Sequence, residues 1–154
     1  MIKWKQLIIS ILISLGIGGL SGFITKDSME TFENLNKPML SPPSIVFPIV
    51  WGILFLLMGI SAYLIYVNKS EYRKPALIIY GIQLVINFFW SIIFFNAQQY
   101  LFAFIWLIIL LIAIIIMIVL FYKVKPAAAF LQIPYILWVS FAGYLNLMIY
   151  LLNR

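Results

Sequence analysis

All fourteen charged side chains of this 154-residue chain fall in a few short gaps, and the four long stretches between the gaps carry no formal charge. Those stretches are Gln6–Thr25, Pro38–Asn68, Pro75–Tyr122 and Pro126–Asn153. A helix needs about 20 apolar residues to cross the hydrocarbon core of a bilayer. The third stretch, 48 residues, is long enough for two crossings, and Asn96, Ala97, Gln98 and Gln99 break it in the middle. The pattern predicts an all-α membrane protein, a five-helix transmembrane bundle forming one domain over residues 1–154. The spans fall at about 7–24, 44–67, 76–95, 100–122 and 127–152, with a long loop, 25–43, after the first helix.

Composition supports lipid as the solvent. The chain is 66% hydrophobic, which a soluble domain of this size could not bury. Lipid forces each span to satisfy its own backbone, and no strict polar–apolar alternation supports a β-barrel. Cysteine and histidine are absent, which removes disulfides, thiolate chemistry, and the commonest metal ligand and acid–base catalyst. No metal site is expected, and no cofactor is required.

The net charge of +6 is read as a topology signal, with no nucleic-acid partner expected. With five spans, Lys3, Lys5, Lys69, Arg73, Lys74, Lys123 and Lys125 share one face with a single acid, Glu71. The other face has Lys26, Lys37 and Arg154 against Asp27, Glu30 and Glu33. The positive-inside rule therefore predicts a cytoplasmic N-terminus, with the C-terminus and loop 25–43 outside. Lys3 and Lys5 before apolar Leu7–Leu15 resemble a secretory signal, but no A-x-A-like site follows and a retained first span is expected.

Local features refine the spans. Ser10, Ser14, Gly18 and Gly22 recur every four residues, a small-residue stripe that favours helix packing within the bundle over a dimer contact. The 25–43 connection exceeds usual loop lengths and is read as a lid. Asp27 with Glu30 looks like a capping box, and Met29, Phe32 and Leu35 follow at near-helical spacing. Pro48 and Pro134 are expected to bend spans 2 and 5. Span 4, rich in Ile and Leu with neither Gly nor Pro, reads as a lipid-facing structural helix.

Polarity enters the membrane at few places. Gln83, Asn87 and Ser91 are spaced four apart on span 3, with Trp90 beside them. Trp138, Ala142, Leu145 and Asn146 share a narrow arc of span 5, and Trp51 and Phe55 share a face of span 2. Amides in hydrocarbon need partners, so these faces point inward. Two readings stand: helix–helix hydrogen bonding, or a pocket for a flat, apolar small molecule. Trp4 and Trp106 read more simply as interfacial anchors.

Three separated segments bear on the choice. They are Lys37-Pro38-Met39-Leu40-Ser41-Pro42-Pro43 with Phe47-Pro48 and Trp51; Gln83, Asn87, Trp90-Ser91 and Phe94-Phe95; and Pro134-Tyr135-Ile136-Leu137-Trp138 with Phe141-Ala142-Gly143-Tyr144-Leu145-Asn146. In order and spacing they resemble the TspO/MBR family, the translocator proteins or tryptophan-rich sensory proteins, here a bacterial member of the cytoplasmic membrane. The resemblance implies a homodimer of five-helix bundles that binds porphyrins such as protoporphyrin IX, sterols or benzodiazepine-type compounds. It implies pocket roles for Pro42, Trp51, Phe55, Asn87, Trp90, Trp138, Ala142 and Leu145. Gln83, Ser91 and Asn146 join them on the residue reading. Phe32 joins as the loop aromatic, Phe where some relatives have Tyr. Leu147-Met148-Ile149-Tyr150 with Arg154 partly resembles the family's sterol motif.

The leading functional expectation is a binding or sensory protein. The alternatives are a light- and oxygen-dependent porphyrin-degrading enzyme with Trp51 and Trp138 as catalytic residues, and a facilitated transporter of porphyrin or lipid.

Overall fold

A computed structural model describes all 154 residues, Met1–Arg154. Every regular element is helical. Helix α1 covers Trp4–Thr25, a 3₁₀ turn follows at Lys26–Ser28, and a short α2 covers Met29–Glu33. Helices α3 (Val46–Val67), α4 (Arg73–Ser91) and α5 (Tyr100–Val124) come next. Short α6 (Pro126–Phe130) and α7 (Ile133–Asn153) complete the chain. Five helical segments are long and apolar enough to cross a membrane: Trp4–Glu33, Val46–Val67, Arg73–Asn96, Tyr100–Val124 and Pro126–Asn153. The chain is thus a multi-pass membrane protein, with α6 and α7 sharing the last span.

Packing follows from where small and polar residues lie. Helix α1 lies along α3, α4 along α5, and α5 along α7. The α1–α3 seam is built by the small-residue stripe. Ser10 donates to the Gly59 carbonyl at 2.7 Å and Ser14 to the Phe55 carbonyl at 2.7 Å. A Cβ on Gly59 would stand 2.6 Å from the Ile11 Cα, and one on Gly18 would stand 2.5 Å from the Phe55 ring. The hydroxyls bridge two backbones that only glycine lets approach this closely. Gly22 departs from this role: its Cβ position is open, and it faces the cavity described below.

Helix α5 is two-faced. Ala103, Leu107, Leu110, Ile114, Met117 and Phe121 are buried at alternating spacings of four and three, while Ile105, Ile108, Ile112 and Ile115 are exposed. Its inner face braces α4 and α7, so only its outer half meets lipid. Trp106 serves this brace as well: its indole donates to the Ile86 carbonyl at 2.8 Å.

The two prolines act differently. Pro48 is the third residue of α3 and Pro134 the second of α7. In the first turn of α3 the missing N–H has no intrahelical acceptor, so Pro48 removes no ladder bond. The last span is interrupted at Leu131–Gln132, in the turn before Pro134, whose missing N–H cannot bond the Phe130 carbonyl at the end of α6. The capping box is also absent: Ser28 is the N-cap of α2 and makes no side-chain cap bond. A π-helical turn, Ile92–Asn96, closes α4, and Gln98 at φ 55° turns the chain into α5.

Candidate ligand pocket

Between α1, α3, α4 and α7, in the half of the bundle away from the basic loops, lies a cavity of about 510 Å³. Each wall has its own chemistry. Helix α1 supplies Leu15, Gly18, Gly19, Ser21 and Gly22, a floor with little side-chain bulk. Helix α3 supplies Phe47, Pro48, Trp51, Gly52 and Phe55. Helix α4 and its π turn supply Asn87, Trp90, Ser91, Phe94 and Phe95, and α7 supplies Trp138, Ala142, Leu145, Asn146 and Ile149. Thr25, Lys26, Met29 and Phe32 close one end. Lys26 is the one charged residue in the wall.

The aromatic residues form a continuous framework. Trp51 lies 5.7 Å from Phe55, 6.5 Å from Trp90 and 6.3 Å from Tyr135 between ring centroids. Trp90 stacks on Phe94 at 5.3 Å, and Phe47 meets Trp138 edge-on at 5.8 Å. Such contacts hold ring faces in fixed orientations and present area without flexible torsions.

The α2 segment drops Phe32 into this framework. Phe32 is 5% exposed and packs against Phe47, Phe94 and Phe95. Lys37 caps the segment: its ammonium donates to the carbonyls of Phe32, Glu33 and Leu35 at 3.1, 2.8 and 3.3 Å and stands 5.1 Å over the Phe32 ring. Two asparagines tie the segment and the chain after it to the bundle. Asn96 accepts from the Ser28 hydroxyl at 2.6 Å and donates to the Ile24 carbonyl at 3.2 Å. Asn153 pairs reciprocally with the Asn36 backbone, accepting from its N–H at 3.0 Å and donating to its carbonyl at 2.8 Å.

Most of the polar groups are already bonded within the protein. Asn87 donates to the Tyr135 hydroxyl at 2.7 Å, which donates to Gln83 Oε1 at 2.6 Å. Asn146 accepts from the Trp90 indole at 3.1 Å and donates to the Tyr100 carbonyl at 2.8 Å. The buried indole N–H of Trp138 has no hydrogen-bond partner.

Ten of the twelve residues singled out from sequence meet at this one cavity: Phe32, Trp51, Phe55, Asn87, Trp90, Ser91, Trp138, Ala142, Leu145 and Asn146. Pro42 and Gln83 lie outside its wall. Pro42 belongs to the extended chain between α2 and α3, while Gln83 sits one turn below Asn87, fully buried against Tyr135 and Met58. The helix–helix reading of the amides holds: Asn87 and Asn146 bond between helices, and both also line the cavity. Sequence reasoning missed the α1 wall. The signal was present in Gly18 and Gly22, but a small-residue stripe does not distinguish a helix seam from a cavity floor.

These features define a class: a five-span membrane protein with an aromatic, nearly uncharged internal cavity near one face. The profile of the TspO/MBR family matches residues 9–152. A tryptophan-rich protein TspO from Archaeoglobus fulgidus is 38% identical, covering 96% of this chain and 97% of its own length. The human translocator protein is 34% identical over 86% of this chain and 80% of its own. A tryptophan-rich sensory protein from Cereibacter sphaeroides is 30% identical over 91% and 87%. The chain belongs to the TspO/MBR family.

Proposed function

We propose that this protein captures a flat, hydrophobic small molecule, of the porphyrin class, in the α1–α3–α4–α7 cavity. The observation that carries the reading is the alignment of Trp51, Trp90, Phe94 and Trp138 around one space of about 510 Å³. That volume lies within the range of small-molecule sites, about 300–1,000 Å³. The walls offer stacking area and dispersion contact. In this reading the Lys26–Pro43 segment, with Phe32 on its inner side, is the lid. The basic end faces the cytoplasm, and the functional unit is a homodimer.

The test is quenching of tryptophan fluorescence on titration with protoporphyrin IX. Trp51→Phe with Trp138→Phe is expected to weaken binding by about 5- to 150-fold, from about 0.5–1.5 kcal/mol of ring contact each. Unchanged affinity in the double variant would refute this cavity as the site.

A second reading is favoured by one observation: Trp51 and Trp138 both line the cavity, where each would lie against a bound porphyrin. The protein would then promote light- and oxygen-dependent porphyrin breakdown, in which the excited porphyrin is oxidised and oxygen reduced, with Trp51 and Trp138 as the catalytic neighbours. Illuminated turnover equal to the bleaching of free porphyrin would eliminate it.

A further inference from the structure

At the opposite end of the bundle a second space opens onto the outer, lipid-facing surface. It is a furrow of about 290 Å³ between the last two turns of α5 and the α6–α7 break. Ile118, Val119 and Tyr122 form one side and Ala129, Phe130 and Ile133 the other, with Lys123 in the wall as its one charged residue. Val119, Tyr122, Phe130 and Ile133 are 50, 55, 63 and 40% exposed, so the furrow has no protein cover. The Tyr122 and Phe130 rings meet edge-on at 6.1 Å. An apolar slot on the outside of a spanning helix is filled by an acyl chain, because water gains no hydrogen bonds there.

Charge decides which lipid fits. Lys123 extends toward the α4 N-terminus, its ammonium 4.8 Å over the Tyr72 ring. Tyr72 belongs to the basic Lys69–Lys74 segment, whose Arg73 turns to the Tyr66 ring at 5.4 Å, and Lys125 follows two residues after Lys123. This end of the bundle carries seven basic residues and one acid, Glu71. A head group with an uncompensated phosphodiester is attracted here, whereas a choline head brings its own cation into the same field.

We propose that the α5–α6–α7 furrow with Lys123 is a binding site for an anionic glycerophospholipid of the surrounding leaflet. One acyl chain lies along Val119, Phe130 and Ile133, and the phosphate rests on Lys123. The site shares no residue with the cavity and does not depend on what the cavity holds.

The experiment uses the full chain in detergent, with native mass spectrometry and thermal melting as readouts. Phosphatidylglycerol and phosphatidylcholine with identical acyl chains are the probes. The expected result is saturable retention of one phosphatidylglycerol per protomer and a raised melting midpoint, with neither effect from phosphatidylcholine. Lys123→Glu should weaken retention by about tenfold, since each basic residue near a membrane surface contributes appreciably to anionic-lipid affinity. Lys123→Gln replaces it if the charge reversal prevents folding. Val119→Trp, which fills the furrow and leaves the charge alone, should weaken retention as well. Lys69→Glu makes the same charge change outside the furrow wall and should matter less. Equal retention of both lipids, equal loss from Lys69→Glu and Lys123→Glu, or no effect of Val119→Trp would each overturn the proposal.

Discussion

The reciprocal pairing of Asn153 with Asn36 makes the proposed lid testable at a single side chain. Asn153→Ala removes two hydrogen bonds, of 3.0 and 2.8 Å, between the end of α7 and the chain following α2. A net hydrogen bond is worth about 0.5–1.5 kcal/mol, and these lie at an exposed rim, so about 1–2 kcal/mol is lost in total. At about 1.4 kcal/mol per factor of ten, the open fraction of the segment rises about 5- to 30-fold. If ligand leaves past the lid, the dissociation rate rises by the same factor, because the cavity walls are untouched. Asn153→Asp keeps the acceptor for the Asn36 N–H and loses the donor, so it should fall between the two. The measurements are hydrogen exchange at the Asn36 amide and stopped-flow release of protoporphyrin IX. An unchanged Asn36 amide would refute the latch. Faster exchange with unchanged release would refute the lid as the exit.

Other outcomes follow from the same geometry. Gly59→Ala places a methyl group 2.6 Å from the Ile11 backbone, which cannot rotate away, and should destabilise the bundle by about 1–3 kcal/mol in thermal melting; an unchanged midpoint would mean the α1–α3 seam is looser than described. Gly18→Ala meets only the Phe55 ring, so it should push that ring toward the cavity and weaken porphyrin binding more than it lowers the midpoint. Gln83→Leu leaves the buried Tyr135 hydroxyl without its acceptor and should cost about 1–3 kcal/mol of stability. Because Gln83 is outside the wall, its effect on affinity should be small; a large affinity loss with an unchanged midpoint would contradict its placement.

Charge spacing made the five spans legible, because lipid leaves few alternatives once charges are confined to gaps. The inward faces of α3, α4 and α7 were also legible, since amides and indoles are rare enough in hydrocarbon to mark a direction. Other features were not. Helix α5 is aliphatic on all sides, so no periodicity reveals that Leu107, Leu110, Ile114 and Met117 face inward while Ile108, Ile112 and Ile115 face out. Only Ala103 and Ala113 hint at it. Pro48 was expected to remove a ladder bond because α3 begins only at Val46, a boundary that an unbroken apolar run does not announce. Gln83 and Asn87 look equivalent in sequence, yet one helical turn separates a buried crosslink from a cavity wall. The Asn153–Asn36 pairing spans 117 residues and leaves no local mark.

The disposition of hydrogen bonds says what sort of recognition this cavity supports. Asn146 is committed to Trp90 and Tyr100, and the Asn87 amide N–H to Tyr135, before any ligand arrives. These amides hold the indole and phenol rings rigid, so the surface a guest meets is shaped by polar bonds but is itself mostly apolar. A site of this kind selects by thickness and area, because few unsatisfied groups remain to reject a guest that lacks a given functional group. Discrimination must then come from the rim, where Lys26 sits in the wall and Phe32 closes against Phe47. Lys26→Glu should therefore lower affinity for a dicarboxylate porphyrin several-fold and leave its dimethyl ester unaffected, measured by the same fluorescence titration. Equal effects on acid and ester would show that the rim does not read charge, and that shape alone admits the ligand.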